Sequence, residues 1–332
     1  MKEAGPVTTV LMPILDTYKD AAAALVGCHG LGIQRESCEL DVLLVTNEPR
    51  RPVSVKSGNV YLDLYFLSEK EALRPTEPEV AVSLAHASPV RDTRMIISTG
   101  IAACQAVMDT NMNRSAQIRL TSCLKSLGRA EDCASREDIW TSNYWLLSAS
   151  YEFAYAWLFS QGVVPSPSHL LAQAKVRSKG KAKDFVAFSA GAGLKRASRK
   201  ECAARLEGIS VLYDLLGARQ MQDRHPPSAS PEVEFEIVKR KTGQLASSME
   251  HAESYSFQGL EVVRLLARIS ESQGPAVEPF AKAAVEGILG KGGPRLLSEG
   301  LVRDLGLARP LTEAIQASAT IKDRVSDLAR RI

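Results

Sequence analysis

With 332 residues the chain is too long for one ordinary hydrophobic core, so two domains are the default expectation. Its 45% hydrophobic and 24% charged residues are ordinary for a globular protein, and a net charge of +3 is too weak to mark a nucleic-acid binder by itself. The six cysteines (Cys28, Cys38, Cys104, Cys123, Cys133 and Cys202) form no CxxC pair and show no zinc-ligand spacing. The N-terminus lacks a signal-peptide pattern, and no run of about eighteen apolar residues offers a membrane span. These features point to a cytoplasmic protein with reduced thiols and no membrane partner.

Apolar residues at helical spacing over 7–19 predict an opening helix. The run from Ala22 reads as a short buried strand cut off by Gly27. Gly27, Gly30 and Gly32 then mark a loop that something else approaches closely. Residues 39–45, ELDVLLV, predict the next strand. PVSVK and VYLDLYFL bracket Ser57-Gly58-Asn59 as a hairpin. Residues 68–88 turn helical with a break at Pro75 to Pro78, and 89–97 supply one further short strand.

From about residue 98 the character changes to helix, with periodic segments over 101–112, 116–127 and 136–161. The third holds all three tryptophans, Trp140, Trp145 and Trp157, among further aromatics. It reads as the central buried helix of a bundle, with a base-stacking platform as the sharper alternative. Ser168 is placed to cap the helix that follows. Residues 223–232, DRHPPSASPE, form the strongest linker. The domain boundaries expected are therefore 1–112, 113–226 and 227–332.

The segment that carries chemistry is Gly27-Cys28-His29-Gly30-Leu31-Gly32, then Glu39-Leu40-Asp41, then Asp63. Side chains two apart on a strand point to one face, so Glu39 and Asp41 project together while Leu40 and Val42 face the other way. Asp63 sits mid-strand between Leu62 and Leu64. If the two strands are neighbours, three carboxylates converge. Side by side they repel, and a hard divalent cation such as magnesium removes that penalty while coordinating substrate phosphates.

In these residues the chain resembles the nucleotidyltransferase superfamily, the polymerase-beta-like fold that includes the minimal nucleotidyltransferases. Gly27 stands at that family's strand-ending glycine, Cys28 at its serine and Gly32 at the glycine closing the loop. Cys38-Glu39-Leu40-Asp41 matches its carboxylate motif, and Asp63 is placed for its third acid. The resemblance covers roughly residues 7–100. It implies an α+β fold, a mixed-sheet N-terminal domain followed by an all-α C-terminal region that closes over the cleft and selects the acceptor. It also implies magnesium-dependent transfer of a nucleoside monophosphate from an NTP such as ATP to a hydroxyl of an RNA, protein or small molecule, with pyrophosphate released. Glu39 and Asp41 would hold two magnesium ions. Asp63 would hold the catalytic one and help deprotonate the acceptor, and the backbone at Gly27 and Cys28 would bind the β- and γ-phosphates.

Two departures bear on activity. A thiol at Cys28 is a weaker donor than the family's hydroxyl, and Glu39 is one methylene longer than the usual aspartate. The alternatives are a nucleotidyltransferase-like protein that binds a nucleotide or RNA without turnover, or a partner protein of the toxin–antitoxin sort. Residues 175–200 hold nine bases (Lys175, Arg177, Lys179, Lys181, Lys183, Lys195, Arg196, Arg199 and Lys200) against the single acid Asp184. That segment reads as a solvated face or, more sharply, as a track for an RNA backbone. His29 reads as solvent-facing, and His86, His169 and His251 as ordinary helix residues. Arg219 to His225 is loosely similar to the Arg-then-His spacing of HEPN-type ribonucleases. Oligomerisation is left open.

Overall fold

The strand periodicity of the N-terminal third produces one sheet with two buried faces. A computed structural model describes residues 5–47, 50, 52–179, 182–220, 230–271, 288–289 and 297–332. The chain divides into two units, Met1–Arg114 with Pro227–Ile237, and Ser115–Pro226 with Val238–Ile332. The class is α+β: a mixed five-stranded sheet in the N-terminal part, and helices after it.

In the first unit, α1 (Gly5–Thr17) leads into β1 (Ala22–Leu25), a single helical turn α2 (Gly27–Gly30) and β2 (Leu40–Val45). Then come β3 (Val53–Ser57), β4 (Val60–Leu67), α3 (Glu69–Leu73), α4 (Pro78–Ala85), β5 (Ser88–Arg91) and α5 (Ile96–Ala106). The sheet order is β3-β4-β2-β1-β5, with β2 and β4 parallel and the other neighbours antiparallel. Leu40, Val42 and Leu44 of β2 pack with Leu62, Leu64 and Phe66 of β4 against Leu11 and Leu15 of α1. Leu43 and Val45 point the other way, into a cluster with Ala72, Leu84 and Ile97 from α3, α4 and α5. Burying one such leucine stabilises the fold by about 1.5–3 kcal/mol, and both faces are filled.

The turn between β3 and β4 is tighter than the sequence suggests. Strand pairing extends through Ser57↔Val60, so only Gly58 and Asn59 form the turn, with Gly58 at φ +59°. The glycine segment differs too, opening with the helical turn α2 before it becomes loop. The expected break between α3 and α4 is present at 74–77, and Ser68 and Glu71 form a capping box that starts α3. The strand expected over 89–97 is shorter, because α5 begins at Ile96.

The helical segment expected over 101–112 is divided at Val107. Helix α6 (Met108–Ser135) begins in the first unit, continues past Arg114 into the second, and runs on through the segment expected over 116–127. The aromatic helix is α7 (Ile139–Ser160), capped by Asp138 accepting from the Thr141 N–H. Tyr144, Trp145, Tyr151, Phe153, Trp157 and Phe159 are buried and form the helical core, while Trp140 and Tyr155 are half-buried. Ser168 does not cap the next helix. It lies in a 3-10 turn over Pro167–His169 that runs straight into α8 (Leu170–Ser178), whose N-cap position is His169 with no side-chain cap. There follow α9 (Lys183–Gly191), α10 (Arg199–Gln220), α11 (Pro231–Ser247, of which the part to Ile237 belongs to the first unit), α12 (His251–Glu271), α13 (Glu299–Asp304) and α14 (Leu311–Ala329). His225 and most of the expected linker lie outside the described residues. Among the described residues no helix is long and apolar enough to cross a membrane.

Arg91 fastens the short edge strand β5. Its Nε donates to the Ala21 carbonyl (2.8 Å), Nη1 to Leu15 (2.9 Å), and Nη2 to Tyr18. One side chain thereby satisfies three carbonyls around the end of α1 and the entry to β1. Hydrogen bonds from a charged group are worth more than neutral ones, so Arg91→Ala should destabilise the sheet unit by about 2–3 kcal/mol, read as a lower urea midpoint with an unchanged slope.

Candidate metal centre

Parallel pairing of β2 with β4 sets Asp41 directly opposite Asp63. Both residues belong to the face that carries Leu43 and Val45. They stand at the β2 N-terminal end, beyond those apolar residues. Glu39 immediately precedes β2, two residues from Asp41. The three carboxylates are half-buried, and their oxygens come within 4.8 Å of one another.

Neighbouring elements constrain these groups. Ser54, paired with Asp63 across the β3–β4 hairpin, donates its hydroxyl to Asp63 Oδ1. The Tyr65 hydroxyl lies 3.5 Å from Asp41 Oδ1. The Val26 N–H donates to the Asp41 carbonyl at 2.9 Å, drawing the end of β1 against β2. Sequence reading missed Ser54 and Tyr65. Tyr65 was accessible as the residue two beyond Asp63 on the same face, whereas Ser54 depends on the length of the turn.

Gly27 is required twice at this point. Its φ is +58°, in the region that penalises L side chains. A Cβ built there would also lie 2.1 Å from Asp41 Oδ2. The chain therefore passes so close to the carboxylate that only hydrogen fits. Gly32 also has positive φ, at +68°, but meets nothing within 4 Å. The turn itself is closed by backbone bonds from Gly30 to Val26, Leu31 to Gly27 and Ile33 to Cys28.

The thiols flank the carboxylates. Cys28 and Cys38 are buried, their sulfurs within 4.8 Å, and Cys38 Sγ accepts from the Arg35 N–H at 3.3 Å. A hydrogen bond with Cys38, burial and the nearby charges of Asp41 and Glu39 raise the Cys28 thiol far above the ordinary thiol range, so it is neutral at physiological pH. His29 is half-buried, with Nδ1 3.5 Å from Cys28 Sγ, and so does not simply face solvent. His86 ends α4, and His169 and His251 begin helices.

The donor set at the strand ends is all oxygen: three carboxylates, with a hydroxyl and a phenol beside them. That chemistry suits a hard divalent cation, and a bound cation would offset the repulsion that such crowding imposes. The basic segment is placed less tightly. Lys175 pairs with Glu253 (3.2 Å) and Arg196 with Glu313 (2.8 Å), while Asp184 is engaged by Arg324 (2.9 Å). Arg177, Lys179, Lys183, Lys195, Arg199 and Lys200 are exposed, and Lys181 lies outside the described residues.

No protein-family model matches the chain, and no curated protein does. Among solved structures, a nucleotidyltransferase-like protein from Exiguobacterium sibiricum is similar over 75% of this chain and 78% of that one, at 8% identity and a TM-score of 0.35. A likeness that distant assigns neither a family nor a reaction.

Gly27 and Gly32 separate two effects. Gly27→Ala should strain the turn and displace Asp41, weakening Mn²⁺ binding about 10–100-fold. Gly32→Ala imposes similar backbone strain without touching a carboxylate and should leave the affinity unchanged. Mn²⁺ titration followed by electron paramagnetic resonance reads both.

Proposed function

We propose that the sheet unit is a magnesium-dependent nucleotidyltransferase, moving a nucleoside monophosphate from an NTP to a hydroxyl acceptor. The observation that carries this reading is the in-register placement of Asp41 opposite Asp63 with Glu39 beside them, ligand atoms within 4.8 Å. Glu39 and Asp41 would hold two magnesium ions, with Asp63 sharing one. The metal would supply charge neutralisation of the triphosphate and of the attacking and leaving oxygens.

The protein's own groups would do the rest. The Asp63 carboxylate, one oxygen of which is held by Ser54, would take the proton from the acceptor hydroxyl. The backbone at Gly27 and Cys28, held against Asp41 by the missing Cβ, would meet the β- and γ-phosphates beside the carboxylates. Tyr65 would steady Asp41 through its hydroxyl. The exposed bases of 177–200 favour an RNA among the acceptor classes, because clustered cations release counterions from a polyanion.

One feature favours a second reading, nucleotide binding without turnover. Cys28 presents a buried, neutral thiol where a hydroxyl would be the stronger phosphate donor. The two readings divide on one experiment: α-labelled NTPs and magnesium are incubated with the protein and fractionated cell extract. Transfer predicts label attached to an acceptor, pyrophosphate released, and a loss of roughly 10²–10³-fold in Asp41→Asn and in Asp63→Asn. Ribonuclease treatment of the product identifies an RNA acceptor. NTP binding that Asp41→Asn abolishes, with no label transferred to any fraction, replaces catalysis with sensing. A tight second chain on co-purification, without nucleotide binding, would point to the partner-protein class.

A further inference from the structure

The helical unit buries two guanidinium groups that pair with no carboxylate among the described residues. Arg205 on α10 is 0% exposed and Arg309, between α13 and α14, is 4% exposed. Arg205 lies flat on Tyr255, its guanidinium carbon 3.5 Å from the ring centroid, and its Nη1 donates to the Tyr255 carbonyl at 3.0 Å. Its Nε and Nη2 are buried with no hydrogen-bond acceptor among the described residues. Arg309 Nη1 donates to the Ala190 carbonyl at 3.2 Å, and its Nη2 is likewise buried without an acceptor. No ion pair among the described residues involves either arginine.

The two cations sense each other. Burial, together with the charge of Arg205, pushes the Arg309 guanidinium down to about 10, against the opposing influence of Tyr255. That remains well above neutral pH, so Arg309 stays charged. The Tyr151 phenol supplies no compensating charge, because burial raises it to about 12 and its hydroxyl donates to the Ser256 carbonyl at 2.6 Å. Two positive charges in a dry interior are tolerated only when something of opposite sign is close.

The main chain around these groups is shaped by glycine. A Cβ at Gly306 would lie 1.9 Å from Arg205 Nη2, one at Gly259 3.1 Å from Arg205 Nη1, and one at Gly193 3.1 Å from Arg309 Cζ. Gly306 and Gly193 have φ of +77° and +68°. Two acceptors on the helices α7 and α12 are also buried without a donor among the described residues, Asn143 Oδ1 and Gln258 Oε1. Asn143 donates to the Arg309 carbonyl (3.0 Å), and Gln258 to the Cys202 carbonyl (3.0 Å), one turn before Arg205.

We propose that the helical unit binds a phosphate-class dianion between Arg205 and Arg309. A dianion matches a charge of two, which a single carboxylate does not. The forked donors of arginine suit tetrahedral oxyanions. A hydroxyl on a protonated phosphate oxygen would meet Asn143 or Gln258, the acceptors that a bare sulfate would leave unfilled. The site is independent of the carboxylates on the sheet and of the reaction proposed there.

The test uses the full chain, purified without phosphate or sulfate. Melting is followed with added phosphate and with chloride at equal ionic strength, for the wild type, Arg205→Met and Arg309→Met. Phosphate in roughly hundredfold excess over its Kd should raise the wild-type Tm by about 5–10 °C, and neither variant should respond. Anion carried through purification is released by denaturation and assayed as phosphate before and after phosphatase, which separates free phosphate from a phosphate monoester. A wild type that releases none and melts alike in phosphate and chloride overturns the proposal. So does a phosphate response that persists in Arg205→Met, which would be the general effect of an excluded salt. Should the methionine variants fail to fold, Arg309→Lys replaces them, keeping the charge while losing the fork, with a weakened response expected and an unchanged one overturning the site.

Discussion

The parallel pairing of β2 with β4 is the contact on which the sheet unit depends. Parallel neighbours cannot be joined by a tight turn. The chain therefore leaves β2, passes to the outer edge as β3, and returns through a two-residue turn as β4 beside β2. That route buries Leu40, Val42, Leu44, Leu62, Leu64 and Phe66 on one face in register. The same register forces Asp41 and Asp63 together on the other face. Apolar burial is what holds two like charges side by side, and a cation is what would make the arrangement comfortable.

Gly27 extends that constraint to the preceding strand. Its positive φ turns the chain sharply after β1, and its missing Cβ lets the backbone rest against Asp41. The carboxylates and the turn of backbone beside them are thereby brought together by the same few residues. The buried Cys28 thiol beside them adds no charge, since it is neutral. A thiol at that place is a weaker donor than a hydroxyl would be, which is why the proposed transfer and binding without turnover both stand to be tested.

The helical unit poses the opposite electrostatic problem. Its core is built on α7, whose aromatic and aliphatic side chains are buried around most of the helix circumference. Into that apolar setting α10 brings Arg205, and the segment after α13 brings Arg309. The sheet unit crowds negative oxygens that call for a cation, and the helical unit crowds guanidiniums that call for an anion. In both, glycines with positive φ let backbone approach the charged groups more closely than any side chain would allow.

Much of the sheet unit was legible because period-two alternation reports directly on which side of a strand is buried. ELDVLLV and VYLDLYFL each carry that alternation, so the convergence of Glu39, Asp41 and Asp63 required only that the strands be neighbours. The burial of α7 was legible for a similar reason: a helix apolar on every face has nowhere to go but inside. Other features were set by distances along the fold that no local pattern encodes. A turn of two residues instead of three shifts the hairpin register by one, and that shift puts Ser54 opposite Asp63. Ser168 missed its capping role because a 3-10 turn carried the chain into α8. Arg205 and Arg309, more than a hundred positions apart, stand in no sequence pattern that brings them together. Only tertiary packing removed them from water, because burial is a property of what surrounds a residue and not of the residue itself.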